Sequence, residues 1–171
     1  MGLEKVDAAL SYDQQMDLMR AFMKAAQKGD VEALSRHLDS GIDVNTTAWE
    51  GETAVIEAAF YGQAAALKLL IRAGADLSLR HDQGGTALIC AIGNGHADCV
   101  KALIDGFAPL DQPNYAGVSP LQLAHSTKRM DVVQMLEDAI ATETARKEDA
   151  TIALQESLTI RKPLLLKGGA P

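Results

Sequence analysis

An alanine returns every 33 residues. Ala25, Ala58, Ala91 and Ala124 head the segments AAQKGDVEAL, AAFYGQAAAL, AIGNGHADCV and AHSTKRMDVV, each 33 residues after the last. Gly29, Gly62 and Gly95 keep the same interval, and so do Thr53, Thr86 and Ser119. Self-similarity at a period of this size marks a stack of equal units, because one such unit cannot bury its apolar face alone.

The residue types within the period say what each unit is. A hydroxyl at Thr53, Thr86 or Ser119 accepts from a backbone N–H of a first helical turn, and Ser119 is followed by Pro120, a favourable first helical residue. The alanine in each first helix lets neighbouring units approach closely. Leu34, Leu67 and Val100, with Leu38, Ile71 and Ile104 four further on, form the apolar stripe of each second helix. Gly41 and Gly74 follow that helix, where a left-handed residue satisfies its last carbonyls without a β-carbon in the way. Each unit therefore reads as two short helices.

On these residues ETAVIEAAFYGQAAALKLLIRAGADLS and GTALICAIGNGHADCVKALI resemble ankyrin repeats. The resemblance covers about residues 18–140 in four units, near 18–48, 49–81, 82–114 and 115–140, with 1–17 beginning an N-terminal cap and 141–171 forming a helical extension and tail. It implies an all-α solenoid of stacked helix pairs joined by β-turn fingers. Such modules bind other macromolecules and usually catalyse nothing. The sequence also departs from the family. The motif T-P-L-H reads TAVI, TALI and SPLQ, so the histidine that ties the helix to its neighbouring loop is missing, and a lower stability is expected. Phe107 stands where the terminal glycine of the third unit belongs, and Lys128 where the inter-helix glycine of the fourth belongs. A β-carbon in the left-handed region costs on the order of 1 kcal/mol, so Gly106 is expected to take that conformation one residue early and reshape the third finger.

Cys90, His96 and Cys99 invite a metal or redox reading, since thiolate and imidazole are the groups such chemistry uses. Their spacing argues against it. Zinc sites pair ligands two to four residues apart and need four, and no fourth stands nearby. The repeat register offers a plainer account: Cys90 and Cys99 fall on inward helix positions matched by Glu57 and Ala66, and His96 occupies the family's Gly-His position between helices. No metal and no cofactor are expected.

Composition narrows the function further. A chain of 171 residues with 47% hydrophobic content can bury one core. A formal charge of −7 disfavours nucleic acid and anionic membranes, which need Lys and Arg to neutralise phosphate, and suits a basic partner. The opening MGLEKVDAAL lacks the basic flank and apolar run of a signal peptide, and Val6 spoils a myristoylation motif at Gly2. With two cysteines giving no disulfide framework, a cytoplasmic protein, monomeric by itself, is expected.

Stack ends need covering. Ser11 and Gln14 form an S-x-x-Q capping box, opening a helix with Met16, Met19, Phe22 and Met23 on one side. At the other end MDVVQMLEDAIATETARKEDA is expected to run past residue 140 as helix. In the final RKPLLLKGGAP, Leu164, Leu165 and Leu166 read as a docking motif, as a segment covering the last unit, or as disorder.

The resemblance also implies where a partner binds: at the finger tips and at the end of each first helix. These positions hold Trp49, Glu50, Glu52, Phe60 and Tyr61 in the second unit, Asp82, Gln83, Gly93 and Asn94 in the third, and Tyr115, Val118, Ser126 and Thr127 in the fourth. Of the seven aromatic residues, four (Trp49, Phe60, Tyr61, Tyr115) lie there, at positions that need no packing role. Aromatic anchors with a carboxylate rim are what binding hot spots are built from. The expected function is a protein-binding module without catalysis; the alternative is a regulatory or inhibitory subunit of an enzyme acting through the C-terminal tail. Asp82, His96, Asp98, His125 and Asp131 are scattered over separate units, and no nucleophile has a base at a diagnostic spacing, so an enzyme finds little support.

Overall fold

The computed structural model describes residues 11–161, without the side chains of Trp49 and of 156–161. The first ten residues and the tail with Leu164, Leu165 and Leu166 lie outside the described residues. Helix α1 spans Tyr12–Lys28, α2 Val31–Asp39, α3 Ala54–Phe60, α4 Ala64–Arg72, α5 Ala87–Gly93, α6 Ala97–Asp105, α7 Pro120–Ser126 and α8 Met130–Arg161. Among the described residues the extended pairing is limited to the antiparallel bridges Thr47–Thr53 and Arg80–Thr86, at the bases of two fingers. The chain divides into two compact units, with the boundary between Leu136 and Glu137.

The hydroxyl positions start the helices as their chemistry demands. Thr53, Thr86 and Ser119 each accept from the backbone N–H three residues on, at 3.3 Å in every case. Ser11 and Gln14 close a reciprocal capping box at α1, and Ser119 with Gln122 does the same at α7. Gln122 occupies one of the three places where the family histidine is missing. The other two, Ile56 and Ile89, are buried, so apolar contact stands in for a hydrogen bond there.

First helices stack on first helices, α1 on α3, α3 on α5 and α5 on α7, while α2, α4 and α6 form the second row. Ala58, Ala91 and Ala124 are fully buried in the first row, where a larger side chain would push the helices apart. In the second row Leu34, Leu67 and Val100 are fully buried, but Leu38, Ile71 and Ile104 are only half-buried. The stripe instead turns through Leu70, Leu103 and, in α8, Leu136, three residues on from Leu67, Val100 and Val133. In the first unit that place is held by His37, whose ring meets the edge of Phe22 with centroids 6.1 Å apart. From Glu137 onward α8 is a mostly exposed helix with a Lys147–Glu143 ion pair.

One contact recurs between every pair of neighbouring units. The residue after each inter-helix glycine position sends its side chain back one unit: Gln63 Nε2 donates to the carbonyl of Gln27 at 2.8 Å, His96 Nε2 to that of Phe60 at 3.1 Å, and Arg129 Nη1 to that of Gly95 at 2.8 Å. A carbonyl only accepts, so His96 carries its proton on Nε2. These side chains lie across Gly29, Gly62 and Gly95, all with left-handed φ. A β-carbon on Gly62 would stand 2.6 Å from His96 Nδ1, and one on Gly95 would stand 2.6 Å from Arg129 Nη1. The glycine is thus required twice, for its φ and for the space above it.

The two departures from the pattern resolve differently from the sequence expectation. Phe107 itself takes the left-handed conformation, with φ 62, and Gly106 stays at φ −85. The turn is not reshaped: Phe107 N–H donates to Ile104 and Ala108 N–H to Leu103, as Gly74 does to Ile71 and Ala75 to Leu70. Gly106 is needed for another reason, because a β-carbon there would come within 2.9 Å of Ile71 Cγ2 in the preceding unit. Lys128 adopts φ 56, and its exposed position leaves room for the side chain.

The glycine contact makes a sharp comparison possible. Gly62→Ala combines left-handed strain of about 1–2 kcal/mol with a clash against His96, so it should lower the urea midpoint well beyond what a surface alanine does. Lys128→Gly removes the strain but loosens the unfolded chain, and should change stability by no more than about 1 kcal/mol, in the stabilising direction. Equal midpoints for Gly62→Ala and the parent would show that the His96 contact does not hold the units together.

Candidate functional site

Each finger is closed by one backbone hydrogen bond in register. Ala48 N–H donates to Glu52 at 2.7 Å, His81 N–H to Gly85 at 3.1 Å and Asn114 N–H to Val118 at 3.0 Å. The closing residue also shapes its tip: His81 Nδ1 accepts from Gln83 N–H, and Asn114 Oδ1 accepts from the N–H groups of Ala116 and Val118. Adjacent fingers are tied together. Asp82 N–H donates to the carbonyl of Glu50 at 2.8 Å, Asp76 N–H to Asn45 Oδ1 at 2.7 Å, and Gln112 Nε2 to the carbonyl of Ser78 at 3.1 Å. Glu50, with φ 62, and Gly51, with φ 73, are the left-handed residues of the first tip.

The expected site residues fall along this row and on the helix ends behind it. Glu50, Asp82, Gln83 and Asn94 are exposed, and Glu52 is partly so. Phe60 and Tyr61 are 46% and 50% exposed and meet edge to face with centroids 5.2 Å apart. Tyr115 is 68% exposed, and it also packs on a neighbouring finger, as a bulky finger residue can while still showing a face. Its ring lies against Gly84 of the preceding finger, and the Arg80 guanidinium sits 5.9 Å from the ring centroid, within cation–π range. One face of Tyr115 therefore braces the fingers while the other is open. Trp49 lies in the short turn Trp49–Gly51, and its side chain is outside the described residues.

One register position of the first helices holds a charged residue twice, exposed on α1 and buried on α3. Lys24 and Leu123 occupy this position on α1 and α7, and Cys90 on α5. On α3 it is Glu57, only 5% exposed, beside the side chains of Glu52 and Gln27. Burial pushes its carboxyl up from the ordinary value to about 7, and the neighbouring Glu52 side chain and its charge push the same way, while Gln27 opposes them. Glu57 therefore keeps its proton to near neutrality, beside the Glu52 carboxylate.

A family model described as ankyrin repeats (3 copies) matches residues 58–146, and one described as ankyrin repeats (many copies) matches 21–71. The chain belongs to the ankyrin-repeat family. Among curated proteins no match was found. Ankyrin repeats are in general protein-interaction modules.

The cysteines and histidine of this ankyrin chain sit in its packing. Cys99 is fully buried, Cys90 nearly so, and burial pushes both thiols up to about 11, with the carboxylates of Glu57 and Glu52 adding to the effect on Cys90. Among the described residues no group of three His, Cys, Asp or Glu side chains could hold a metal ion, and no helix is long and apolar enough to cross a membrane. Sequence reasoning missed the Glu52–Glu57 pair. Its signal was available: a carboxylate at a register position that elsewhere is Cys90 or Leu123.

Two solution properties follow. Unfolded, Glu57 loses its proton near 4.5; folded, near 7. The native state thus favours the protonated form, and stability should fall as pH rises from about 4.5 through about 7, by up to about 3 kcal/mol at 1.36 kcal/mol per pH unit. Glu57→Gln should flatten this slope relative to the parent in urea titrations at pH 5 and pH 8. Separately, a thiol pKa near 11 leaves about a hundredfold less thiolate than one near 9, so an aromatic disulfide reagent should label Cys90 and Cys99 slowly until denaturant opens the fold. Fast labelling of the folded protein would contradict their burial.

Proposed function

We propose that the chain binds another protein through its row of finger tips and inner helix ends, and catalyses nothing itself. The observation that carries this reading is the exposure of Phe60, Tyr61 and Tyr115 in a chain with only seven aromatic residues, where the buried core has better use for rings. Around them stand Glu50, Glu52 and Asp82, with Gln83 and Asn94 supplying neutral hydrogen-bonding groups. Trp49 belongs to the same row by its place in the sequence. Acidic tips and a formal charge of −7 favour a partner with a basic surface over nucleic acid or an anionic membrane. In this reading the repeats occupy about residues 18–140, and the protein works in the cytoplasm as a monomer until it meets its partner.

Alanine substitution separates binding from folding. Phe60→Ala and Tyr61→Ala should melt within a few degrees of the parent, since exposed positions usually contribute no more than about 0.5 kcal/mol. Tyr115→Ala should cost up to about 1 kcal/mol more, through the lost Arg80 contact. Partner capture from native extract, quantified against the parent, should drop roughly thirtyfold for the aromatic variants, the equivalent of about 2 kcal/mol. Unchanged capture in all three would remove this surface from the mechanism.

A further inference from the structure

Phe60, Tyr61 and Glu57 form a single patch. Phe60 lies three residues after Glu57 on α3 and Tyr61, the residue that caps the helix, four after it, which brings both close to Glu57. Glu52 reaches Glu57 from the finger and Gln27 reaches it from α1. Glu52 is partly exposed with Glu57 buried beside it, and Glu50 and Asp82 extend the negative charge along the tips. We propose, resting on the protein-binding reading above, that this patch receives a polypeptide segment carrying an arginine or lysine next to an apolar residue, the apolar side chain against the Phe60–Tyr61 rings and the cation on Glu52.

Charge complementarity selects that occupant. Two neighbouring carboxyl groups, one of them buried, ionise together only at a cost that a neutralising partner removes. Within the free chain that partner is a proton. No cation acts on Glu57 within the free chain: α5 carries the neutral Cys90 and no charged residue, Arg20 of α1 is exposed and paired with Asp17, and Lys24 and Lys28 of α1 with Lys68 and Arg72 of α4 are exposed to solvent. An incoming ammonium or guanidinium can do what none of these does, and the rings beside it add apolar contact and cation–π attraction. A free amine would use only part of the surface, whereas a segment running along the fingers also reaches Tyr115. Docking the cation lowers the cost of ionising Glu57, so its proton leaves as the segment binds. The native group titrates near 7, which puts this release close to neutral pH.

The test is display selection of random twelve-residue peptides on the full chain, with counter-selection on Tyr61→Ala. The enriched peptides should share a Lys or Arg beside an aliphatic or aromatic residue, and replacing that cation by Gln should weaken binding about tenfold or more. Calorimetry between pH 6 and 7, in buffers of different ionisation enthalpy, should show release of up to about one proton per peptide. That release should vanish in Glu57→Gln, and Glu52→Gln, at a partly exposed site, should weaken the cation preference without disturbing the fold. Peptides that need Tyr61 but show no cation preference, or bind without proton release, would overturn this inference and leave the protein-binding reading standing. A failure to enrich any peptide sensitive to Phe60, Tyr61 or Tyr115 would count against both.

Discussion

The contact on which the stack depends is a side chain laid over a glycine. Gln63, His96 and Arg129 each cross the inter-helix turn of the preceding unit and donate to one of its carbonyls, and the turn must be left-handed and without a β-carbon to let them do so. This contact fixes how far one unit is displaced from the next. The buried alanines of the first helices then set how closely those helices approach, and Leu67, Leu70, Val100 and Leu103 fill the second row. Apolar burial supplies most of the driving force in such a stack, but it is non-directional; the hydrogen bond to a particular carbonyl is what specifies register.

The same logic explains where the pattern is relaxed. Lys128 takes a left-handed conformation that glycine holds in the other units, and its surroundings are open. Phe107 does likewise, 78% exposed, with the turn's hydrogen bonds intact. Backbone strain of this size is tolerated where the flanking hydrogen bonds over-determine the turn. Gly106 is the reverse case: its own φ is ordinary for any residue, and the methyl group of Ile71 is what excludes a side chain there.

Function follows from what the stack cannot bury. Phe60 and Tyr61 stay about half exposed at the end of α3, packed against each other. The Glu52–Glu57 pair is the opposite kind of conflict, a charge-bearing group held inside by its neighbours and neutralised by a proton. Surface rings beside a masked carboxyl make a patch whose chemistry changes when a cation arrives.

Much of this was legible in the chain alone, because helical caps, glycine turns and apolar spacing act locally and repeat. The 33-residue register, the capping hydroxyls, the burial of Cys90 and Cys99 and the structural role of His96 all rest on interactions between residues whose separation the period itself supplies. What lay beyond it depended on distances between units. That Gly106 must lack a side chain was decided by Ile71 from another helix; that Tyr115 braces its neighbour was decided by Gly84 and Arg80; that Glu57 keeps its proton to near neutrality was decided by its burial beside a finger and α1. The sequence by itself determined the repeat and the hydroxyls that start its helices, since those preferences are set within a turn or two of backbone. Only the tertiary structure decided which polar groups lose their water, because desolvation is a property of the neighbours that stacking brings together.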